Sequence, residues 1–94
     1  MNVRVSVPRA LTEFADGQSV INVELVGQPT VGDVVRALSD SYPALARRII
    51  DETGELRRYV NVYVGSEECR RNGGLAADIP AGTEVHIIGS IAGG

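Results

Sequence analysis

The chain has 94 residues, 44% hydrophobic and 22% charged, which fits one small globular domain and excludes disorder, collagen and coiled coil. No run approaches the roughly 18 apolar residues of a membrane span, and Met1-Asn2-Val3-Arg4-Val5 lacks a signal-peptide apolar stretch, so a cytoplasmic location is expected, with no membrane partner. One cysteine and one histidine exclude an internal disulfide and argue against a metal cluster, and a net charge of −3 gives no general attraction to nucleic acid.

All nine basic residues are arginine. Without lysine the side chains offer no Schiff base, no P-loop lysine and no isopeptide acceptor. Eleven glycines are many for this length, and their positions matter.

The strict alternation of Asn2-Val3-Arg4-Val5-Ser6-Val7 predicts a half-buried strand with its three valines inward. Pro8 cannot donate to a ladder and ends it. After a longish loop with a turn at Asp16-Gly17, a second strand is expected over about 19–26, with Ile21, Val23 and Leu25 on one face. The two should form an antiparallel hairpin. Thr30 has the chemistry of a helix N-cap, with Asp33 three residues on. Val31, Val34, Val35 and Leu38 recur at helical spacing, and Pro43 stops that helix near Asp40 or Ser41. A second short helix fits Ala44 to Ile50, with Leu45 and Ile49 inward, before an exposed charged loop to Arg58.

Tyr59 to Val64 alternates again, Val60, Val62 and Val64 facing the core and Asn61 and Tyr63 outward. Glu68 to Arg70 suits a short edge strand between turns at Gly65-Ser66 and Gly73-Gly74. The last strand is expected over Glu84 to Ile88, with Val85 and Ile87 on one face and His86 and Ile88 on the other. An early hairpin followed by a helical crossover places the first and last strands side by side, parallel, at the centre. This is an α+β fold of the β-grasp, ubiquitin-like kind: a mixed sheet of four or five strands with one main helix on one face. The domain is expected over residues 1–89, with 90–94 as a flexible tail.

That tail ends in Gly93-Gly94. A glycine pair is a weak signal by itself and gains weight from following the last core strand directly. Glycines can enter a narrow channel, and Ser90 to Gly94 can reach about 15 Å beyond a sheet. A carboxylate is a poor acyl donor, whereas its mixed anhydride with AMP is a good one. The chain has no phosphate-binding loop, so ATP would be used by an activating partner and no cofactor is expected on this chain.

Several segments resemble the ubiquitin-like sulfur carrier proteins. They are Val60-Asn61-Val62-Tyr63-Val64, Gly73-Gly74-Leu75, Ile79-Pro80-Ala81-Gly82-Thr83-Glu84-Val85 and Ile91-Ala92-Gly93-Gly94. With the N-terminal strand and the Thr30 helix the likeness spans nearly the whole chain, the segment from Ala44 to Arg58 being unmatched. Among the thiamine-pathway, molybdopterin-synthase and cysteine-pathway types it looks closest to the last. The resemblance implies no active site in this chain. It implies adenylation of Gly94 by an E1-like enzyme, then sulfur transfer from a persulfide donor to give a thiocarboxylate. Ile91, Ala92 and Gly93 would carry that end into partners. The acceptor enzyme could be cysteine-synthase-like, a thiosugar synthase or similar.

Other residues have two readings each. Cys69 could hold a persulfide, or be a half-buried packing residue on the short fourth strand. His86 could serve as a base or lie on the strand surface near the tail, in contact with a partner. Arg57-Arg58 and Arg70-Arg71 are solvated loop charge or a dock for an acidic patch of the activating enzyme. Tyr63, Ile88 and Ile91 form a binding patch or ordinary sheet surface. Competing functions are the small subunit of molybdopterin synthase, a protein modifier, and a generic β-grasp binding module. A ferredoxin-like role is excluded, because Cys69 alone cannot ligate a cluster.

Overall fold

The computed structural model describes residues 1–89. The roles expected of Ile91, Ala92, Gly93 and Gly94 therefore fall outside the described residues.

Five strands form one mixed sheet: β1 (Asn2–Ser6), β2 (Val20–Glu24), β3 (Val60–Val64), β4 (Glu67–Glu68) and β5 (Val85–Gly89), in the spatial order β2-β1-β5-β3-β4. The first and last strands run parallel at the centre, Val5 beside Val85 and Ser6 beside His86. β2 pairs antiparallel with β1, and β3 antiparallel with β5. This is the expected β-grasp topology, and its register follows from the alternating valines, since a one-residue slip would expose all of them.

Two helices cover the inner face of the sheet. α1 (Val31–Ser41) begins with a full capping box: the Thr30 hydroxyl accepts from Asp33 N at 3.2 Å and Thr30 N donates to Asp33 Oδ2 at 2.9 Å. Val31, Val34, Val35 and Leu38 are buried, the stripe their spacing predicts. α2 (Pro43–Ile49) opens on its proline and buries Leu45 and Ile49 completely. Val3, Val5, Val60, Val62, Val85 and Ile87 close the core from the sheet side. Removing a Leu38-sized side chain from water stabilises by about 1.5–3 kcal/mol.

Four local features differ from expectation. The loop after Pro8 is a 3₁₀ segment, Arg9–Ala15, which tucks Ala15 into the core. Val64 is only partly buried, at the edge of the core. The fourth strand ends at Glu68, because Cys69–Asn72 turns into a 3₁₀ helix that Gly73 closes at φ 103°, a left-handed value that favours glycine. Cys69 is accordingly fully buried at the start of that turn, rather than half-buried on a strand. The last strand begins at Val85 and retains Gly89, which pairs with Val60.

Candidate functional site

The inner face is filled by the core, so surface chemistry falls to the outer face of the sheet and to its end beside Gly89. Alternation puts Asn61 and Tyr63 of β3, and His86 and Ile88 of β5, on that outer face. The register sets Tyr63 beside His86 and Asn61 beside Ile88. Ile88 is 47% exposed, large for an isoleucine on a central strand, whereas Tyr63 and His86 are half-buried by their neighbours.

A strip of charge crosses the same sheet region. Arg4 Nε lies 3.3 Å from Glu84 Oε2, and His86 Nε2 lies 3.8 Å from Glu84 Oε1. The parallel register explains this, since Val5 beside Val85 brings Arg4 alongside Glu84. Sequence reading misses Arg4 and Glu84, because their pairing exists only once the two strand ends meet.

Arg70 extends from the 3₁₀ turn after β4. Its Nη1 donates to Asn61 Oδ1 at 3.1 Å and lies 3.4 Å from Glu68 Oε2, while Nη2 donates to the Arg57 carbonyl at 2.8 Å. These bonds tie the edge of the sheet to the loop before β3. Arg71 is exposed and lines a shallow hollow of about 540 Å³ with Asn61, Tyr63, Ser66, Glu67 and Glu68. Thus Tyr63, His86, Ile88, Arg70 and Arg71 do gather at one side of the molecule, with Arg70 engaged internally and Arg71 turned to solvent.

Cys69 lies beneath this region. Burial pushes its thiol up from the usual range, and the neighbouring Glu68 carboxylate adds to the shift. A protonated, buried thiol is a poor nucleophile, which favours the packing reading. Among the described residues no group of three or more His, Cys, Asp or Glu side chains is placed to hold a metal, and no helix is long and apolar enough to cross a membrane.

The outlet of the site is the end of β5. That strand lies between β1 and β3, and its last residue, Gly89, is paired with Val60. Residues 90–94 therefore start from a fixed point at the centre of the sheet.

No family model matches the chain. Known proteins do. The sulfur carrier protein CysO of Mycobacterium tuberculosis is 38% identical over 96 residues, covering 100% of both chains. This chain belongs to the ubiquitin-like sulfur carrier family. Sulfur carriers are small carriers and not enzymes, and this one fits them in fold. The CysO in a crystallised BexX/CysO complex of Amycolatopsis orientalis superposes with a TM-score of 0.82 at 33% identity, over 98% of this chain and 99% of that one. Small archaeal modifier protein 3 of Haloferax volcanii is 36% identical over 78 residues, 83% of this chain and 84% of the modifier. The family thus includes both carriers of sulfur and modifiers of proteins.

Proposed function

We infer that Gly94 is the reactive residue, adenylated by an E1-like enzyme and converted to a thiocarboxylate that donates sulfur in biosynthesis. The observation that carries this reading is the direct passage of β5, at its Gly89 anchor, into Ser90-Ile91-Ala92-Gly93-Gly94 in a chain matched along its whole length by CysO. The carboxylate attacks the α-phosphorus of ATP and displaces pyrophosphate. Hydrosulfide, supplied as free sulfide or released from the donor's persulfide by a thiol reductant that is oxidised to its disulfide, then attacks the acyl carbon and displaces AMP. ATP is bound by the partner, which places the cycle in the cytoplasm, and this chain brings no cofactor. Tyr63, His86, Ile88 and Arg71 form the face laid against the activating enzyme, with Arg70 holding its edge. Likeness to proteins named CysO favours a cysteine-synthase-like acceptor over a thiosugar synthase.

Intact mass spectrometry after incubation with the E1-like enzyme, ATP and sulfide should show a gain of about 16 Da, oxygen replaced by sulfur. Deletion of Gly94 should abolish the gain and leave the fold intact. A wild type that keeps its starting mass with its cognate activating enzyme, ATP and sulfide would sink the carrier reading.

The match to small archaeal modifier protein 3 favours a second reading, a protein modifier. Isopeptide adducts of Gly94 on lysines of other proteins would establish it. Having no lysine, this chain would add as single units.

A further inference from the structure

Three of the arginines converge on a groove that shares no lining residue with the hollow beside Arg71. Arg47 and Arg48 stand in the last turn of α2, and Arg57 lies in the connection to β3. With Phe14, Ala44 and Tyr59 they line an open groove of about 390 Å³. The Arg48 guanidinium carbon sits 4.4 Å from the centre of the Phe14 ring, which orients the cation without neutralising it. Arg57 Nε donates to the Arg47 carbonyl at 2.9 Å, which fixes the side chain and spends one donor only.

Among the described residues Arg4, Arg36 and Arg70 each form an ion pair, whereas Arg47, Arg48 and Arg57 form none. Asp51 and Glu52 border a neighbouring hollow that shares Arg47 and Arg57, and do not line this groove. Arg57 also attracts the Asp51 carboxylate across that hollow, but three like charges gathered in one groove repel one another and gain little for folding.

The place of the groove matters as much as its charge. Tyr59 directly precedes Val60, the partner of Gly89. The groove therefore flanks the end of the sheet from which residues 90–94 depart.

We propose that this groove docks a short acidic segment of the partner protein that handles the C-terminus; the partner's role rests on the carrier reading above. Guanidinium groups suit carboxylates, and Phe14 and Tyr59 suit an apolar side chain between them. A long polyanion such as RNA is disfavoured, because the other six arginines face twelve acidic residues across the remaining surface.

The test uses the full chain, isotope-labelled, titrated with the peptide Asp-Glu-Leu-Asp-Glu-Phe and followed by amide shifts. Shifts should centre on Ala44, Arg47, Arg48, Arg57 and Tyr59. They should weaken roughly tenfold in R47E/R48E and in high salt. The milder R47Q/R48Q serves if charge reversal disturbs the fold. No shifts, shifts confined to Tyr63 and Ile88, or tighter binding of inorganic phosphate or an oligouridine at the groove would overturn the proposal. With the E1-like enzyme, R47Q/R48Q should raise KM for this chain roughly tenfold and leave kcat unchanged. An unchanged KM overturns the assignment to that partner. If the wild type is never adenylated, the carrier reading fails, and the peptide titration alone decides the groove.

Discussion

Ile88 shows how a single side chain can be read for function. Its neighbours in sequence, Val85 and Ile87, face the core, so alternation alone turns it outward, and 47% of it stays in water. Burial in a partner is the one route by which this apolar surface can contribute. Ile88→Asp should therefore raise KM with the activating enzyme by roughly tenfold or more. Its melting temperature should stay within a few degrees of wild type. Arg71→Ala makes a cleaner docking test than Arg70→Ala, because Arg70 bonds Asn61, Glu68 and the Arg57 carbonyl. Removing Arg70 should cost about 1 kcal/mol of stability after allowance for solvent screening. Cys69 poses the reverse case. Its thiol is sealed in the core and kept protonated, so a disulfide reagent should label it only through unfolding, at a rate that rises with denaturant. Rapid labelling in native buffer would restore the persulfide reading.

At the scale of elements, the strands and α1 were legible because each announces itself by period. Valines every second residue marked β1 and β3, Val85 and Ile87 marked β5, and the Thr30–Asp33 box fixed the start of α1 to the residue. Leu38→Ala should cost about 2–5 kcal/mol, and Thr30→Ala about 1 kcal/mol by loss of the cap, both measurable by denaturant titration. What the sequence hid was short and irregular. Arg9–Ala15 has no repeating apolar stripe long enough to reveal a 3₁₀ segment, and the run Glu68 to Arg70 reads as strand by continuity. The chain turns there because Cys69 is drawn into the core and Gly73 supplies the left-handed closure. The basic groove was hidden for a related reason: Phe14, Arg48 and the Arg57–Tyr59 segment lie apart in sequence and meet only after α2 packs against the 3₁₀ segment.

For the whole molecule, acid should weaken the fold in a defined direction. The Thr30 backbone N–H holds the Asp33 carboxyl below its usual range, the Thr53 hydroxyl does the same for Asp51, and the N-terminal ammonium for Glu24. A depressed folded-state value means that each contributes stability fully present above the unfolded carboxylate range. That contribution is lost as pH falls through about 4 and below. Urea midpoints should thus be level from neutrality down to about pH 5 and decline below that. Asp33→Asn should make the decline shallower.

The pairing of Gly89 with Val60 also has a mechanical side. A partner that draws the tail into its own channel pulls along the axis of β5, whose ladders to β1 and β3 run on both flanks. Ladder hydrogen bonds lie across the strand direction, so such a pull loads many of them together in shear and cannot peel them one at a time. An edge strand such as β2 or β4 has a ladder on one flank only and would spread the same load over fewer bonds. Handling by the C-terminal end, as the proposed cycle requires, would thus load the strand best able to bear the tension.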